Sequence, residues 1–218
     1  MIKFNENNEN NLYVIITASS TKVGKVIRCL SRYNYSHSAI SINKLQSLYS
    51  FSRFQKNTPL ESGFMEESLR RYLDSDEELP VMIFEIPLTT KQKTELENII
   101  ERLDANKKEY RYNFISLFMA PFRKRYELEK AFTCLQFVNK VLNELDITNK
   151  KFLNFKEMYN ELKEYLVFDD DIHKLEIDVS LGNDTYYNKK SFWEILIDAF
   201  KYNKKYLYYC FHRKVNFH

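Results

Sequence analysis

The sequence predicts an α+β protein in which an antiparallel sheet packs against helices. Short apolar runs of strand length alternate along the chain with longer segments whose apolar residues recur at helical spacing. Only 3 Gly and 4 Pro occur among 218 residues, which argues against a loop-rich sandwich. Hydrophobic residues make up 44% of the chain and charged residues 29%, so we expect a folded protein rather than a disordered one.

Charge and cysteine content exclude several classes of protein. The chain carries 33 basic and 30 acidic residues, a net charge of +3, which does not indicate nucleic acid as a partner. No apolar run is long enough to span a bilayer, and the polar first residues lack the apolar segment of a signal peptide. The three cysteines, Cys29, Cys134 and Cys210, are far apart and form no C-x-x-C pair. We therefore expect a cytoplasmic protein without a disulfide framework, a metal or another cofactor.

The first predicted elements are a strand and a helix. Residues 12–17 are continuously apolar, which is typical of a strand buried on both faces. Ser19, Ser20 and Thr21 follow as candidate N-caps. The helix after them has an apolar face made of Val23, Val26, Ile27 and Leu30.

His37 opens a predicted β-hairpin. Strand alternation places His37, Ala39 and Ser41 on one face, and the small neighbours leave room for another group beside the imidazole. Residues 43–46 are a plausible turn, and residues 47–52 a plausible returning strand.

The middle of the chain alternates between irregular and regular segments. Residues 53–80 are rich in charge and turn residues and predict an excursion. Residues 81–86 predict a strong strand, and residues 109–126 a second loop. Between them, Thr89 or Thr90 caps a helix with the apolar face Leu96, Ile99, Ile100 and Leu103.

A cysteine stands at the predicted start of the next helix. Thr133-Cys134-Leu135-Gln136 fits the capping box, with Thr133 as N-cap and Gln136 reaching back to it. Cys134 then lies in the first turn, where unpaired amides and the helix dipole favour a thiolate and can hold an oxyanion. Two alternatives remain open: a buried structural cysteine, or a longer helix that begins near Glu127 and places Cys134 in its middle.

His37 is the best candidate for a base that activates Cys134. It is the one histidine in the regular first half of the chain, whereas a loop and the tail contain His173, His212 and His218. A base of this kind needs a partner that orients its ring, and the returning strand offers Ser50. Alternatives for this third role are Ser52, Tyr49 and Glu85.

Residues 1–166 are predicted to form the core, and residues 167–218 a C-terminal extension packed on it. The extension contains a predicted helix with Phe192, Trp193, Ile195, Leu196, Ala199 and Phe200. Two strands are predicted beside it, one from the alternation of Leu175, Ile177, Val179 and Leu181, the other a closing strand at residues 206–211.

The end of the chain interleaves basic and aromatic residues. Such a tail is typical either of the solvated rim of a packed helix or of a weak contact with an anionic membrane. The residues concerned are Lys201, Lys204, Lys205, Arg213 and Lys214, with Tyr202, Tyr206, Tyr208, Tyr209 and Phe211.

Residues 12–146 resemble the circularly permuted papain-like amidases, the permuted branch of the NlpC-type cysteine hydrolases that includes the lecithin:retinol acyltransferases. The resemblance is carried by YSHSAISI at residues 35–42 and FTCLQFV at residues 132–138, in that order. The tyrosine-rich residues 110–113 also look like the segment that precedes the cysteine in that family. The resemblance implies a permuted papain-like (NlpC-type) fold.

The same resemblance implies roles for three residues. Cys134 would be the nucleophile and His37 the general base, while the third position, which in the family is often a histidine or carboxylate, falls at or near Ser50. The implied activity is cleavage of an amide or ester bond through an acyl-enzyme, on a peptide-like or acyl-lipid substrate. The alternatives are a catalytically inactive binding module on the same fold, and an acyltransferase or lipid-surface protein.

Overall fold

The computed structural model describes residues 10–19, 21–31, 33–58, 60–73, 77–122, 124–175, 185–188 and 190–212. The predicted α+β class is confirmed, because these residues form a six-stranded antiparallel sheet with helices packed on it. The strands of this sheet are β1 (Asn11–Thr17), β2 (His37–Ser41), β3 (Leu48–Arg53), β4 (Ser62–Glu67), β5 (Pro80–Pro87) and β8 (Leu166–Asp171). Their order across the sheet is β4-β3-β2-β1-β5-β8.

The remaining elements lie between and around these strands. A separate parallel pair consists of β6 (Arg111–Tyr112) and β7 (Ala131–Phe132). The helices are α1 (Lys22–Ser31), α2 (Arg70–Leu73), α3 (Thr90–Ala105), α4 (Phe114–Met119), α5 (Cys134–Glu144), α6 (Phe155–Leu162) and α7 (Phe192–His212). Short 3₁₀ turns occupy Ala120–Phe122, Lys163–Tyr165, Ile172–Lys174 and Thr185–Tyr187.

The central strand β1 is buried along its whole length, as its continuous apolar run predicts. Val14 and its alternate neighbours belong to the larger apolar cluster, which also contains the buried faces of α3, α5 and α6. Ile15 belongs to a second cluster, which contains residues of α2 and of the 3₁₀ turn after β8. Each fully buried aliphatic side chain stabilises the fold by roughly 1.5–3 kcal/mol, so β1 anchors both layers.

Helix α5 begins at Cys134, as the capping box predicts. Thr133 Oγ1 accepts a hydrogen bond from the Gln136 amide at 3.1 Å, and the Gln136 side chain accepts one from the Thr133 amide at 2.9 Å. A longer helix from Glu127 is therefore excluded, and the residues before Thr133 form β7 instead. Because α5 packs on β2 and β3, its first turn lies beside the strand that begins with His37.

Residues 53–80, predicted as an excursion, contain β4 and α2, and β4 is a strand of the main sheet. Two features hide β4 in the sequence. Gly63 interrupts its pattern because a Cβ there would lie 2.7 Å from both the Tyr110 carbonyl oxygen and the Tyr202 hydroxyl. Adjacent charges, Glu66 and Glu67, end the strand, yet one is exposed and the other is buried. The predicted loop at 109–126 likewise contains β6 and α4.

The C-terminal region is joined to the sheet from its start. Strand β8 begins at Leu166 and pairs with β5, so the expected boundary between residues 166 and 167 falls inside a strand. The helix predicted from Phe192 is present as α7, but the predicted closing strand at 206–211 is wrong, because α7 continues through those residues. Most of the strand predicted at 175–181 lies outside the described residues.

Helix α7 contacts the core through Tyr202. The Tyr202 hydroxyl donates a hydrogen bond to the Ser62 carbonyl at 3.1 Å, and the Arg111 guanidinium stacks 3.8 Å from the Tyr202 ring centroid. Its predicted apolar residues are only partly buried, since Trp193 and Phe200 are 72% and 71% exposed. Within the described part of the chain, no helix is both long and apolar enough to cross a membrane.

Candidate active site

A buried histidine–carboxylate pair lies at the start of β2. His37 Nε2 and Glu67 Oε1 are 2.7 Å apart, and the Glu67 side chain is completely buried. The Tyr72 hydroxyl donates a second hydrogen bond to Glu67 Oε1 at 3.1 Å, and Arg71 Nη1 lies 3.5 Å from Oε2. The rings of His37 and Tyr72 also stack, with centroids 5.8 Å apart. These contacts fix the imidazole in one orientation.

The electrostatics of this pair favour the charged form of both groups. Burial lowers the pKa of His37, but the charge of Glu67 and hydrogen bonds with Cys134 and Glu67 outweigh it and raise that pKa to about 10. Burial raises the pKa of Glu67, but the charge and hydrogen bond of His37, together with Arg71, bring it down to about 2. At neutral pH the pair is therefore an imidazolium and a carboxylate.

Cys134 faces the same imidazole. Burial raises the pKa of the Cys134 thiol, but hydrogen bonding and charge from His37, followed by the Ser38 backbone amide, lower it below its ordinary value. Because Nε2 binds Glu67, Nδ1 is the ring nitrogen left for the sulfur. A cysteine whose pKa is lowered thus faces an imidazolium at the start of a helix, an arrangement that favours the thiolate.

Tyr112 is a third group at the sulfur. Parallel pairing of β6 with β7 sets Tyr112 opposite Phe132, two residues before Cys134. Burial, followed by the charge and hydrogen bond of Cys134, raises the pKa of the Tyr112 phenol well above its usual range. Its hydroxyl is therefore protonated and can donate a hydrogen bond to the Cys134 sulfur.

A buried polar network holds the start of α5 in place. Gln136 Nε2 donates hydrogen bonds to Ser116 Oγ at 3.1 Å and to the Tyr126 carbonyl at 3.0 Å. Asn113 Nδ2 donates to Gln136 Oε1 at 3.2 Å and to the same Tyr126 carbonyl at 2.8 Å. Gln136, the second residue of the capping box, is thus hydrogen-bonded to α4 and to the segment before β7, which fixes the position of the nearby Cys134 sulfur.

An open cavity of about 100 Å³ lies beside the imidazole. His37 and Glu67 form part of its wall. Aromatic and aliphatic side chains line one part, and hydroxyl-bearing residues and two arginines line the rest. A substrate in this cavity would lie next to the histidine–carboxylate pair.

The structure brings together two of the three residues predicted for the site. Cys134 and His37 interact as predicted, and Ser50 lies on the neighbouring strand β3. Ser50 helps to lower the pKa of Glu67, but its buried hydroxyl makes no aligned hydrogen bond. The group bonded to the histidine ring is Glu67, which the sequence analysis did not consider.

The alternatives for the third role lie elsewhere or act differently. Glu85 accepts hydrogen bonds from Asn11 at 2.6 Å and Tyr13 at 3.1 Å, on β1. Tyr49 stacks on Phe64, with ring centroids 6.3 Å apart. Ser52 does line the cavity. The signal for Glu67 was the resemblance itself, since the family often has a carboxylate at the third position.

Among the described residues, no three His, Cys, Asp or Glu side chains are grouped so that they could hold a metal ion. The chain matches no known protein family and no curated protein.

Proposed function

We propose that this protein is a cysteine hydrolase that cleaves an amide or ester bond through an acyl-enzyme. Cys134 is the nucleophile and His37 the general acid–base. Glu67 orients the imidazole and stabilises its protonated form. The observation that carries the proposal is the buried chain Cys134–His37–Glu67, with the histidine and carboxylate 2.7 Å apart and the sulfur in the first turn of α5. A permuted papain-like fold, which the order of histidine and cysteine favours, is part of the same proposal.

The reaction follows from these positions. The Cys134 thiolate attacks the substrate carbonyl carbon, and the oxyanion that forms is held by the first amides of α5, which have no partner inside the helix. The His37 imidazolium protonates the leaving amine or alcohol as its bond to the carbonyl carbon breaks. Neutral His37 then removes a proton from water, which attacks the thioester and releases the acid and the thiolate.

Glu67 bears on the choice between an enzyme and an inactive binding module. A serine as the third residue favoured an inactive binding module, because a hydroxyl orients an imidazole less firmly than a carboxylate. A buried carboxylate hydrogen-bonded to the histidine removes that argument and supports catalysis. An acyltransferase would use the same residues with another acceptor in place of water, and no observed contact favours it over hydrolysis.

The test is formation of an acyl-enzyme from an activated ester. With p-nitrophenyl acetate, the wild-type protein should release a burst of p-nitrophenolate equal to the enzyme concentration, and mass spectrometry should locate the acetyl group on Cys134. Cys134→Ala should abolish the burst and His37→Ala should slow it. Cys29→Ala is the matched control, because Cys29 is exposed and lies on α1. Acetyl on Cys29 rather than Cys134, or no burst, would contradict the proposal.

A further inference from the structure

A cation in the wall of the cavity has no counter-ion among the residues that the structure describes. Arg53, the last residue of β3, is half-buried there and donates one hydrogen bond, at 3.4 Å, to the Lys56 carbonyl. Among the described residues, no carboxylate forms an ion pair with Arg53. Its guanidinium lies 6.0 Å from the centroid of the Tyr186 ring. The guanidinium of Arg71 lies 4.3 Å from the same centroid.

The charges around the cavity do not balance. Its lining contains three basic side chains, His37, Arg53 and Arg71, and one carboxylate, Glu67. Glu67 contacts both His37 and Arg71. Within the described lining, three basic side chains therefore stand against one carboxylate, and Arg53 is the basic group that has no carboxylate beside it.

Other groups in the lining also suit an anion. The N-terminal turn of α1, where the helix dipole is positive, faces the cavity through Thr21 and Gly24 and contains no acidic residue. Ser36, Ser52 and Ser62 also line the cavity, and their hydroxyls can donate hydrogen bonds. A guanidinium binds carboxylate and phosphate oxygens in a bidentate fashion, so both groups suit this wall.

We propose that Arg53 selects substrates that carry an anionic group, a carboxylate or a phosphate, near the bond that Cys134 attacks. The proposal rests on the proposed hydrolase function and adds the class of substrate to it. Arg53 contacts the anion and takes no part in bond cleavage, so its removal changes the preference between charged and neutral reagents and leaves the intrinsic reactivity of the sulfur intact.

The experiment compares two alkylating reagents that differ in charge. In each, the Cys134 thiolate attacks the methylene carbon, a carbon–sulfur bond forms and iodide leaves with the carbon–iodine bonding pair. Iodoacetate is an anion and iodoacetamide is neutral. The protein is the full chain with Cys29→Ser and Cys210→Ser, so that Cys134 is the single thiol.

Arg53→Gln should slow alkylation by iodoacetate by about three- to tenfold and change the iodoacetamide rate by less than about twofold, as expected for one charge across a small cavity. Arg53→Lys should restore most of the preference because it keeps the charge. Lys56→Gln is the matched control, since it removes the same charge from an exposed side chain three residues away. A ratio of the two rates that is the same in wild type and Arg53→Gln would overturn the proposal.

Protection experiments then identify the anion. Inorganic phosphate or acetate at the site should protect Cys134 from iodoacetamide in the wild type and not in Arg53→Gln. Stronger protection by phosphate assigns a phosphate group to the substrate, and stronger protection by acetate a carboxylate. Protection by neither ion overturns the proposal. Slow alkylation by iodoacetamide in the wild type would instead refute the hydrolase function, so the two failures are distinguishable.

Discussion

Replacing Glu67 with glutamine removes the charge that sustains the imidazolium and keeps the shape of the side chain. At 2.7 Å and an effective dielectric constant of about 20, an imidazolium and a carboxylate attract each other by about 6 kcal/mol. Part of this attraction offsets the burial of His37, and the rest, together with hydrogen bonds to Cys134 and Glu67, raises its pKa from 6.5 to about 10. Without the charge, burial dominates and the pKa of His37 should fall below 6.5.

The consequence is measurable as thiol reactivity. Cys134 loses its cationic neighbour at neutral pH, so its pKa rises and its alkylation by iodoacetamide near pH 7 should slow by roughly ten- to a hundredfold. The assay is the rate of alkylation between about pH 5 and pH 9 in the chain whose single thiol is Cys134. Glu66→Gln is the matched control, because Glu66 is the exposed neighbour on the same strand. A Glu67→Gln protein with native circular dichroism and an unchanged pH profile would refute the reasoning.

Three further predictions concern stability. Glu67 stabilises the fold above its ordinary pKa of 4.5, and this contribution is lost as pH falls towards about 2. His37 stabilises the fold below its ordinary pKa of 6.5, and this contribution is lost as pH rises towards about 10. The difference in unfolding free energy between wild type and Glu67→Gln, measured in urea, should therefore be largest between pH 4.5 and 6.5; a flat difference would contradict the assigned charges. Thr133→Ala should cost about 1 kcal/mol and slow alkylation of the site cysteine, whereas Thr89→Ala, at the matching capping box of α3, should cost a similar amount without slowing it. Removing residues 168–218 deletes most of β8 and exposes the edge of β5, so the product should aggregate or melt at a lower temperature by circular dichroism. A monomer of unchanged stability would count against this view of the segment.

Local patterns were enough to predict one half of the site. The capping box around Cys134 depends on four consecutive residues, so the start of α5 could be predicted without any tertiary information. The pairing of Cys134 with His37 could not be predicted from local pattern, because almost a hundred residues separate them. The order of the two motifs, which resembles that of a known family, was the basis for this prediction. His37 itself was predicted at the start of a strand and is found there.

Glu67 could not be predicted in the same way. Two adjacent glutamates after a glycine-interrupted run look like a solvated turn, and burying a carboxylate is unfavourable without partners. The partners that offset the cost for Glu67 are His37, Arg71 and Tyr72, which the fold brings together from β2 and α2. The strand predicted at residues 206–211 was wrong for a different reason. Tyrosine and phenylalanine favour strands locally, yet α7 continues through these residues from Phe192.

The exposed position of Trp193 determines how unfolding of this protein can be observed. Trp193 is the single tryptophan of the chain, and its indole is 72% exposed on α7. With that exposure, its emission in the native state should be close to that of an indole in water, and unfolding should change the emission little. Intrinsic tryptophan fluorescence should miss the loss of the sheet that holds His37. A tryptophan placed in the core, for example by Phe137→Trp beside the ring of Phe51, would give a fluorescent reporter of that sheet, because those ring centroids are 5.5 Å apart.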